Sequence, residues 1–430
     1  MAYFALLIYT AIIFIRPQEW VSWMLGMPVL DFVVGFAVIA WLAHLLASDW
    51  KFKDAPQNLL VLGLFAAVLM SHVRHTYLAA LQEEFKTFGK VVLIYFLIAS
   101  TADSTRRIKG FILVMVLGSL FLATQGILQA HRGYGFGPAF RSQPLVIGDT
   151  VRVRAFGIFN DPNDLALMLV AVMPFLLTTA LDRERSPFAR VGSLAAVVPM
   201  VYCVYLTDSR GGWLAIAVMA MAFVFMHLRN KKIGILLAVL AVPIVFALGP
   251  SRVDTMGADD DSVSGRLAAW GYGNWMLKRW PIFGAGKGRF TEFSGDSKVA
   301  HNSFVHCWGE LGLVGYFFWL GLVLASFKDC WALSRAGPEE DDPEGRTLSR
   351  LGRAGVASMA GYMSAAFFLS RTYQIPLFIL FALFAAMHTV YEREDRELPG
   401  LSGTTHWKYL LGAEIISIPA LWLTLRIMNM

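Results

Sequence analysis

The sequence predicts an all-α integral membrane protein of about twelve transmembrane helices, or thirteen, with a mainly helical segment outside the bilayer. Three observations predict it. Apolar residues make up 57% of the chain and charged ones only 16%. The apolar residues gather in blocks of about 20, the length that crosses about 30 Å of hydrocarbon. The lysines and arginines fall in the short connections between those blocks. No connection is long enough for a separate soluble domain, so residues 1–430 are read as one polytopic membrane domain.

Taken in order, the blocks place helices near 2–16, 27–48, 57–74, 87–101, 107–129, 164–181, 189–207, 211–228, 232–249, 303–327, 351–371 and 375–391. The first, Tyr3 to Ile15, lacks a basic leader and a small-residue cleavage site and is expected to be a retained helix. The last block, Tyr409 to Met428, holds or borders Glu414, Pro419 and Arg426, and either spans the membrane or lies at its interface. Lys51/Lys53, Arg106/Arg107/Lys109, Arg183/Arg185/Arg190, Arg229/Lys231/Lys232 and Lys328 through Arg353 all fall on one side, which the positive-inside rule makes cytoplasmic. The opposite, periplasmic face receives Arg16 to Trp23, His72 to Phe85, the loop 129–163, Asp208 to Arg210, the loop 250–302 and Arg371 to Gln374. The two named loops are much the longest. The run Gly337 to Arg346 reads as a solvated cytoplasmic loop.

The net charge of +6 follows from this topology and does not point to nucleic acid. Cys203, Cys307 and Cys330 show no paired spacing, so neither a disulfide framework nor a zinc site follows.

Topology alone should make arginine rare on the face opposite the cytoplasm, yet Arg132, Arg141, Arg152, Arg154, Arg210, Arg252, Arg266, Arg279, Arg289 and Arg371 map there. Guanidinium groups hold phosphate oxygens bidentately and stay charged at any relevant pH, which suits a pyrophosphate at the membrane surface. Anionic lipid headgroups and local carboxylates are the competing partners for part of the set. Arg210 stands out because Asp208-Ser209-Arg210-Gly211-Gly212 joins two apolar blocks through a very short turn. Pairing with Asp208, or snorkelling from the helix end, is the structural alternative there.

The second long loop reads Ser262-Val263-Ser264-Gly265-Arg266-Leu267-Ala268-Ala269-Trp270, then Trp280-Pro281-Ile282-Phe283-Gly284-Ala285-Gly286-Lys287-Gly288-Arg289-Phe290. It predicts a short amphipathic helix followed by a glycine-rich turn. Gly284, Gly286 and Gly288 would leave backbone N–H groups free to approach an oxyanion, with Lys287 and Arg289 beside them. Next comes Ala300-His301-Asn302-Ser303-Phe304, directly before an apolar block. Asn302 or Ser303 can cap that helix and set His301 at its N-terminal end, where the helix dipole favours the neutral imidazole that a general base needs. Glu310 lies nine residues further on, about 13 Å deeper at about 1.5 Å per residue, and is expected to face the bundle interior and meet a polar partner from another helix. Asp259-Asp260-Asp261 reads as a solvated acidic run, with a divalent-cation site as the alternative.

Five motifs in order, Arg154-Ala155-Phe156-Gly157-Ile158-Phe159-Asn160-Asp161-Pro162-Asn163, Ser209-Arg210-Gly211-Gly212, Gly265-Arg266-Leu267 to Trp270, Pro281-Ile282-Phe283-Gly284-Ala285-Gly286, and His301-Asn302-Ser303 leading into Gly309-Glu310-Leu311-Gly312, resemble the O-antigen ligase and polymerase superfamily over roughly residues 140 to 325. The resemblance is greater to the ligases. It implies a lipid-dependent glycosyltransferase architecture of the GT-C kind in the bacterial inner membrane, taking glycan from undecaprenyl pyrophosphate on the periplasmic face in lipopolysaccharide biosynthesis. The acceptor would be a sugar hydroxyl of lipid A-core in a ligase, or a second lipid-linked repeat unit in a polymerase. No metal or other cofactor is implied. Arg210, Arg266, Arg289 and His301 align by motif with functional positions of the family; Arg152 and Arg154 align less closely. In that scheme His301 takes the proton of the acceptor hydroxyl, while Arg210 and Arg266, helped by Arg289, stabilise the departing pyrophosphate, and single displacement inverts the anomeric carbon. A transporter for the lipid-linked glycan is the alternative from another class. Its cations belong near the membrane midplane, whereas these fall in loops and at helix ends.

Overall fold

The computed structural model describes residues 1–47, 54–137, 143–147, 150–228, 261–295, 299–336, 342–394, 398 and 404–428. Helices stand at every expected block except 232–249, which lies outside the described residues together with Arg141, Arg252, Asp259 and Asp260. Among the described residues, seven helices are long and apolar enough to cross a membrane, and Ile375–Tyr391 is a shorter apolar one. The chain is thus an all-α, multi-pass membrane protein. One departure from helix is a two-stranded antiparallel hairpin, Leu145–Ile147 with Thr150–Arg152, in the first long loop. Its β-branched Val146, Ile147, Thr150 and Val151 suit paired strands better than a helix. The helix in the second long loop, Asp261–Arg279, is longer than the short one expected there.

The chain forms two compact units. The first draws on residues 1–52, 100–255 and 330–365, the second on 53–99, 256–329 and 366–430. At the centre of the first lies Pro162–Leu181, buried along nearly its whole length, because its run Leu165 to Pro174 is apolar on every side and has no polar face to turn outward. Thr105–Arg132, Pro187–Leu206 and Arg210–His227 pack against it. Small residues set the close approaches: Gly212 faces Ala166, and Gly361 faces Val170 and Met219, as helices do where van der Waals contact replaces the hydrophobic drive. The Ser358 hydroxyl donates to the Ala171 carbonyl at 2.6 Å, in the turn ahead of Pro174.

At one end of this unit Arg350 reaches back to Asp182 and Glu184, each at 2.8 Å, and Arg346 joins Glu184 at 3.3 Å. The hydrogen bond from Arg350 holds the Glu184 carboxyl below its ordinary value. A depressed carboxyl stabilises the fold above its unfolded pKa and loses that contribution as the pH falls through the lower, folded value. The pair is exposed, so the effect is small. Glu184→Gln is therefore expected to lower the thermal midpoint slightly at pH 7 in low salt, and not at all near pH 3 or in high salt. Thermal scans of the purified protein across that range check it.

In the second unit, Pro56–Val73 and the long helix Ser303–Arg335 interlock glycine to side chain: Gly63 sits against the Phe318 ring, and Gly321 against Leu60. Trp308, Tyr316 and Trp319 are fully buried there. The long helix is not continuous. Gly312, at φ 62° and ψ −162°, breaks it one turn past Trp308.

Candidate active site

In the first unit, helix Arg210–His227 starts from a tight turn. Asp208 takes a left-handed backbone (φ 49°), and the Ser209 hydroxyl caps the helix by accepting from Gly212 N at 3.0 Å. Arg210 is thereby fixed as the first helical residue. Asn163 organises what surrounds it. Its Oδ1 accepts from the Ser209 hydroxyl at 2.7 Å and from Arg152 Nη2 at 3.3 Å, while Arg152 Nε donates to the Thr207 carbonyl at 3.0 Å. Arg152 thus anchors the turn that carries Arg210. Arg154 is directed elsewhere: its backbone N–H meets Gln129 Oε1 at 2.9 Å and its Nε meets the Gln143 carbonyl at 3.2 Å.

The second unit holds Arg266, Arg289 and His301. Arg266, Trp270 and Gly273 recur at i, i+4 and i+7 and so share a face of helix Asp261–Arg279. Trp270 packs edge-on against Phe367 at 5.5 Å, and Gly273 sits against Val305 and Phe290. This places half-buried Arg266 on the side of the helix that meets the start of the long helix.

The glycine-rich turn corrects an expectation. Gly284, Gly286 and Gly288 are all left-handed (φ 68°, 107° and 77°), but their N–H groups are engaged within the protein. Gly284 donates to Trp280 O at 3.0 Å, Ala285 to Gly309 O at 3.0 Å, Gly286 to Glu310 O at 2.9 Å and Lys287 to Ser71 Oγ at 3.3 Å. The break at Gly312 returns the contact: Leu313 N donates to Pro281 O at 2.7 Å and Val314 N to Ile282 O at 3.1 Å. A helix broken at Gly312 exposes amides and carbonyls that a regular helix would satisfy internally, and the turn supplies their partners. The oxyanion that the turn does bind is the protein's own. The Phe290 N–H donates to Glu310 Oε1 at 3.2 Å, and the Gly288 backbone bonds the same carboxylate.

Glu310 is buried as expected and meets a polar group of another helix, the Phe290 N–H, while its side-chain partner comes from its own helix. His306 Nε2 lies 3.2 Å from Glu310 Oε1, one turn away, beside the N–H of Phe290, which begins the short helix Phe290–Phe293. Lys287 pairs with Glu84 at 2.6 Å and lies over the Tyr373 ring at 5.0 Å. Arg289 pairs with Glu292 at 2.5 Å and stacks 3.7 Å above the Tyr77 ring; its buried Nε has no partner among the described residues. Burial, with Glu310 beside it, pushes the Tyr373 phenol well above its ordinary value, so it stays a neutral hydroxyl.

His301 sits two residues before the long helix in a left-handed backbone (φ 48°). Asn302 caps that helix, its Oδ1 accepting from Phe304 N at 2.9 Å and Val305 N at 3.1 Å. A left-handed residue, then a capping side chain, then the helix is the same construction that presents Arg210 at the turn of the first unit. Left-handed backbone at a residue other than glycine costs about 1–3 kcal/mol and persists where the surroundings enforce it. Here the segment Leu369–Thr372 does so. The His301 N–H donates to Ser370 Oγ at 2.9 Å, Arg371 N to Ser303 Oγ at 2.8 Å, and the Thr372 hydroxyl to Ser303 O at 2.9 Å.

Sequence reasoning missed His306, Glu84, Tyr77, Thr372 and Asn163. His306 left a legible mark in its i, i+4 spacing from Glu310 on a helix; Asn163 stood inside a quoted motif without a role. Among the described residues, no group of His, Cys, Asp or Glu is arranged to hold a metal ion.

Residues 195–320 match the family model described as O-antigen ligase. The match supports the resemblance carried by the motifs, and it takes in Arg210, Arg266, Arg289 and His301 while leaving Arg152 and Arg154 outside. None of the curated proteins compared with the chain matches it.

Proposed function

We propose, from the premise that residues 195–320 form an O-antigen ligase domain, that this chain is an inner-membrane glycosyltransferase that moves glycan from undecaprenyl pyrophosphate to a sugar hydroxyl of lipid A-core on the periplasmic face. The observation that carries the reading is His301, held in a strained backbone at a capped helix start inside the matched segment. A nucleotide-sugar donor has no place in a chain whose segments between apolar blocks are too short for a nucleotide-binding domain. A donor already activated on a membrane lipid fits. His301 accepts the acceptor's hydroxyl proton as its oxygen attacks the anomeric carbon, the bond to pyrophosphate breaks, and the configuration inverts. Arg210 and Arg266 offset the charge developing on the pyrophosphate, with Arg289 assisting. Arg152 serves indirectly, by anchoring the Thr207–Arg210 turn, and Arg154 is directed to Gln129 and Gln143. Arginine takes the role that a divalent cation fills in other transferases, and transfer is expected to continue unchanged in EDTA.

The deciding experiment incubates purified protein with undecaprenyl pyrophosphate glycan and either rough lipopolysaccharide or a second portion of donor, then follows product size and linkage. Growth of the lipopolysaccharide band supports the ligase; lengthening of the lipid-linked glycan instead makes the chain a polymerase. Movement of donor across vesicles without a new glycosidic bond makes it a transporter. A retained anomeric configuration overturns the single displacement. In the same assay Arg210→Ala and Arg266→Ala are each expected to lower kcat about 10²–10³-fold, as loss of one charge-stabilising donor does elsewhere. Arg→Lys at either position restores charge but not the bidentate fork and is expected to recover only part of the loss.

A further inference from the structure

Ser303, His306 and Glu310 fall at i, i+3 and i+7 on one face of the long helix; the first two bond to the Leu369–Thr372 segment and the third to Phe290. The bonds fix where one proton sits. The Thr372 hydroxyl has a single hydrogen and spends it on Ser303 O at 2.9 Å. Toward His306 Nδ1, 3.2 Å away, Thr372 Oγ1 is therefore an acceptor and Nδ1 carries the hydrogen. Nε2 lies 3.2 Å from Glu310 Oε1, and on its other side Oε1 accepts from Phe290 N at 3.2 Å.

Followed in order, the bonds run from the glycine-rich turn through Glu310, His306 and Thr372 to Ser303, and from there through the Leu369–Thr372 segment to the His301 N–H. Apart from the covalent steps within Ser303 and from Arg371 to Ser370, every link is a hydrogen bond or ion pair between buried or half-buried groups. The turn also bears Lys287 and Arg289.

We infer that Glu310, acting through His306 and Thr372, is a positioning residue that couples the turn bearing Lys287 and Arg289 to the backbone that holds His301. Its kinetic consequence rests on the transferase reading above; its structural consequence does not. Glu310→Gln keeps shape but turns an acceptor into a group with an amide donor, facing N–H groups that donate. Thr372→Val removes only the hydroxyl in the middle of the path, and Thr372→Ser restores it.

The test uses the full-length protein in lipid nanodiscs, with hydrogen–deuterium exchange read in peptides covering residues 284–290 and 299–305, and kcat and KM for the lipid-linked donor. Glu310→Gln and Thr372→Val are each expected to raise exchange in both segments. Each should lower kcat about 10- to 100-fold, the scale of a small misplacement of a reacting group, with KM within about twofold. Thr372→Ser should match wild type, and the double variant should be no worse than Glu310→Gln alone, as members of one path behave. Exchange that rises only in the segment nearest each substitution overturns the coupling, as do losses that multiply in the double variant or a kcat that falls only in step with thermal stability. Should wild-type protein transfer no glycan, the transferase reading falls while the exchange measurements still decide the coupling; Thr372→Val keeps that decision open even if Glu310→Gln does not fold.

Discussion

Replacing His301 with alanine is expected to lower kcat for glycan transfer about 10²–10⁴-fold, the contribution of a positioned general base, while the lipid-linked donor still binds. The left-handed backbone at this position (φ 48°) supplies an internal control. Alanine keeps the strain and glycine removes it, so His301→Gly should be the more stable of the two by about 1 kcal/mol and equally slow. A loss caused by disrupted backbone would be smaller in the glycine variant; a loss of the base is the same in both. Transfer assays paired with thermal unfolding of wild type, His301→Ala and His301→Gly separate these outcomes, and full activity in purified His301→Ala protein removes the base from the mechanism.

The second large effect is expected at Gly312, where the chemistry is structural. Its φ of 62° with ψ of −162° is open only to glycine, and a Cβ there would meet the Ile282 backbone at 2.5 Å. Gly312→Ala must therefore reshape the break or push the glycine-rich turn away, forfeiting the Leu313–Pro281 and Val314–Ile282 hydrogen bonds. A cost of about 3 kcal/mol or more is expected from the backbone strain and overlap together. Gly192→Ala is the matching control, since nothing lies within 4 Å of a Cβ at that position and alanine favours a helix interior by up to about 1 kcal/mol. Thermal midpoints in detergent should drop sharply for the first variant and hold or rise for the second.

These sites show how far the sequence could be read. Apolar block length located the helices because hydrocarbon thickness imposes it, whatever the packing. The cap at Asn302 and the turn around Arg210 were legible because capping chemistry is local. The state of the glycine-rich turn was not: whether a left-handed glycine offers its N–H outward or inward depends on which carbonyls another stretch of chain leaves unpaired, here those exposed at Gly312. The side-chain partner of Glu310 was missed for a related reason: the second helix supplies a backbone N–H, at Phe290, while the charged partner is a histidine one turn away on the same helix. The role of Asn163 was invisible because it joins the turn at 207–210 only after the fold has formed.

The break at Gly312 also divides the long helix by length. From Leu313 to Arg335 the chain runs about 34 Å at about 1.5 Å per residue, enough by itself to cross about 30 Å of hydrocarbon. On the transferase reading, the stretch from Ser303 to Leu311 would act as a short pedestal at one end of that crossing, with His301 just ahead of it. A donor would then be met where it already resides, with its polyprenyl tail never leaving the bilayer.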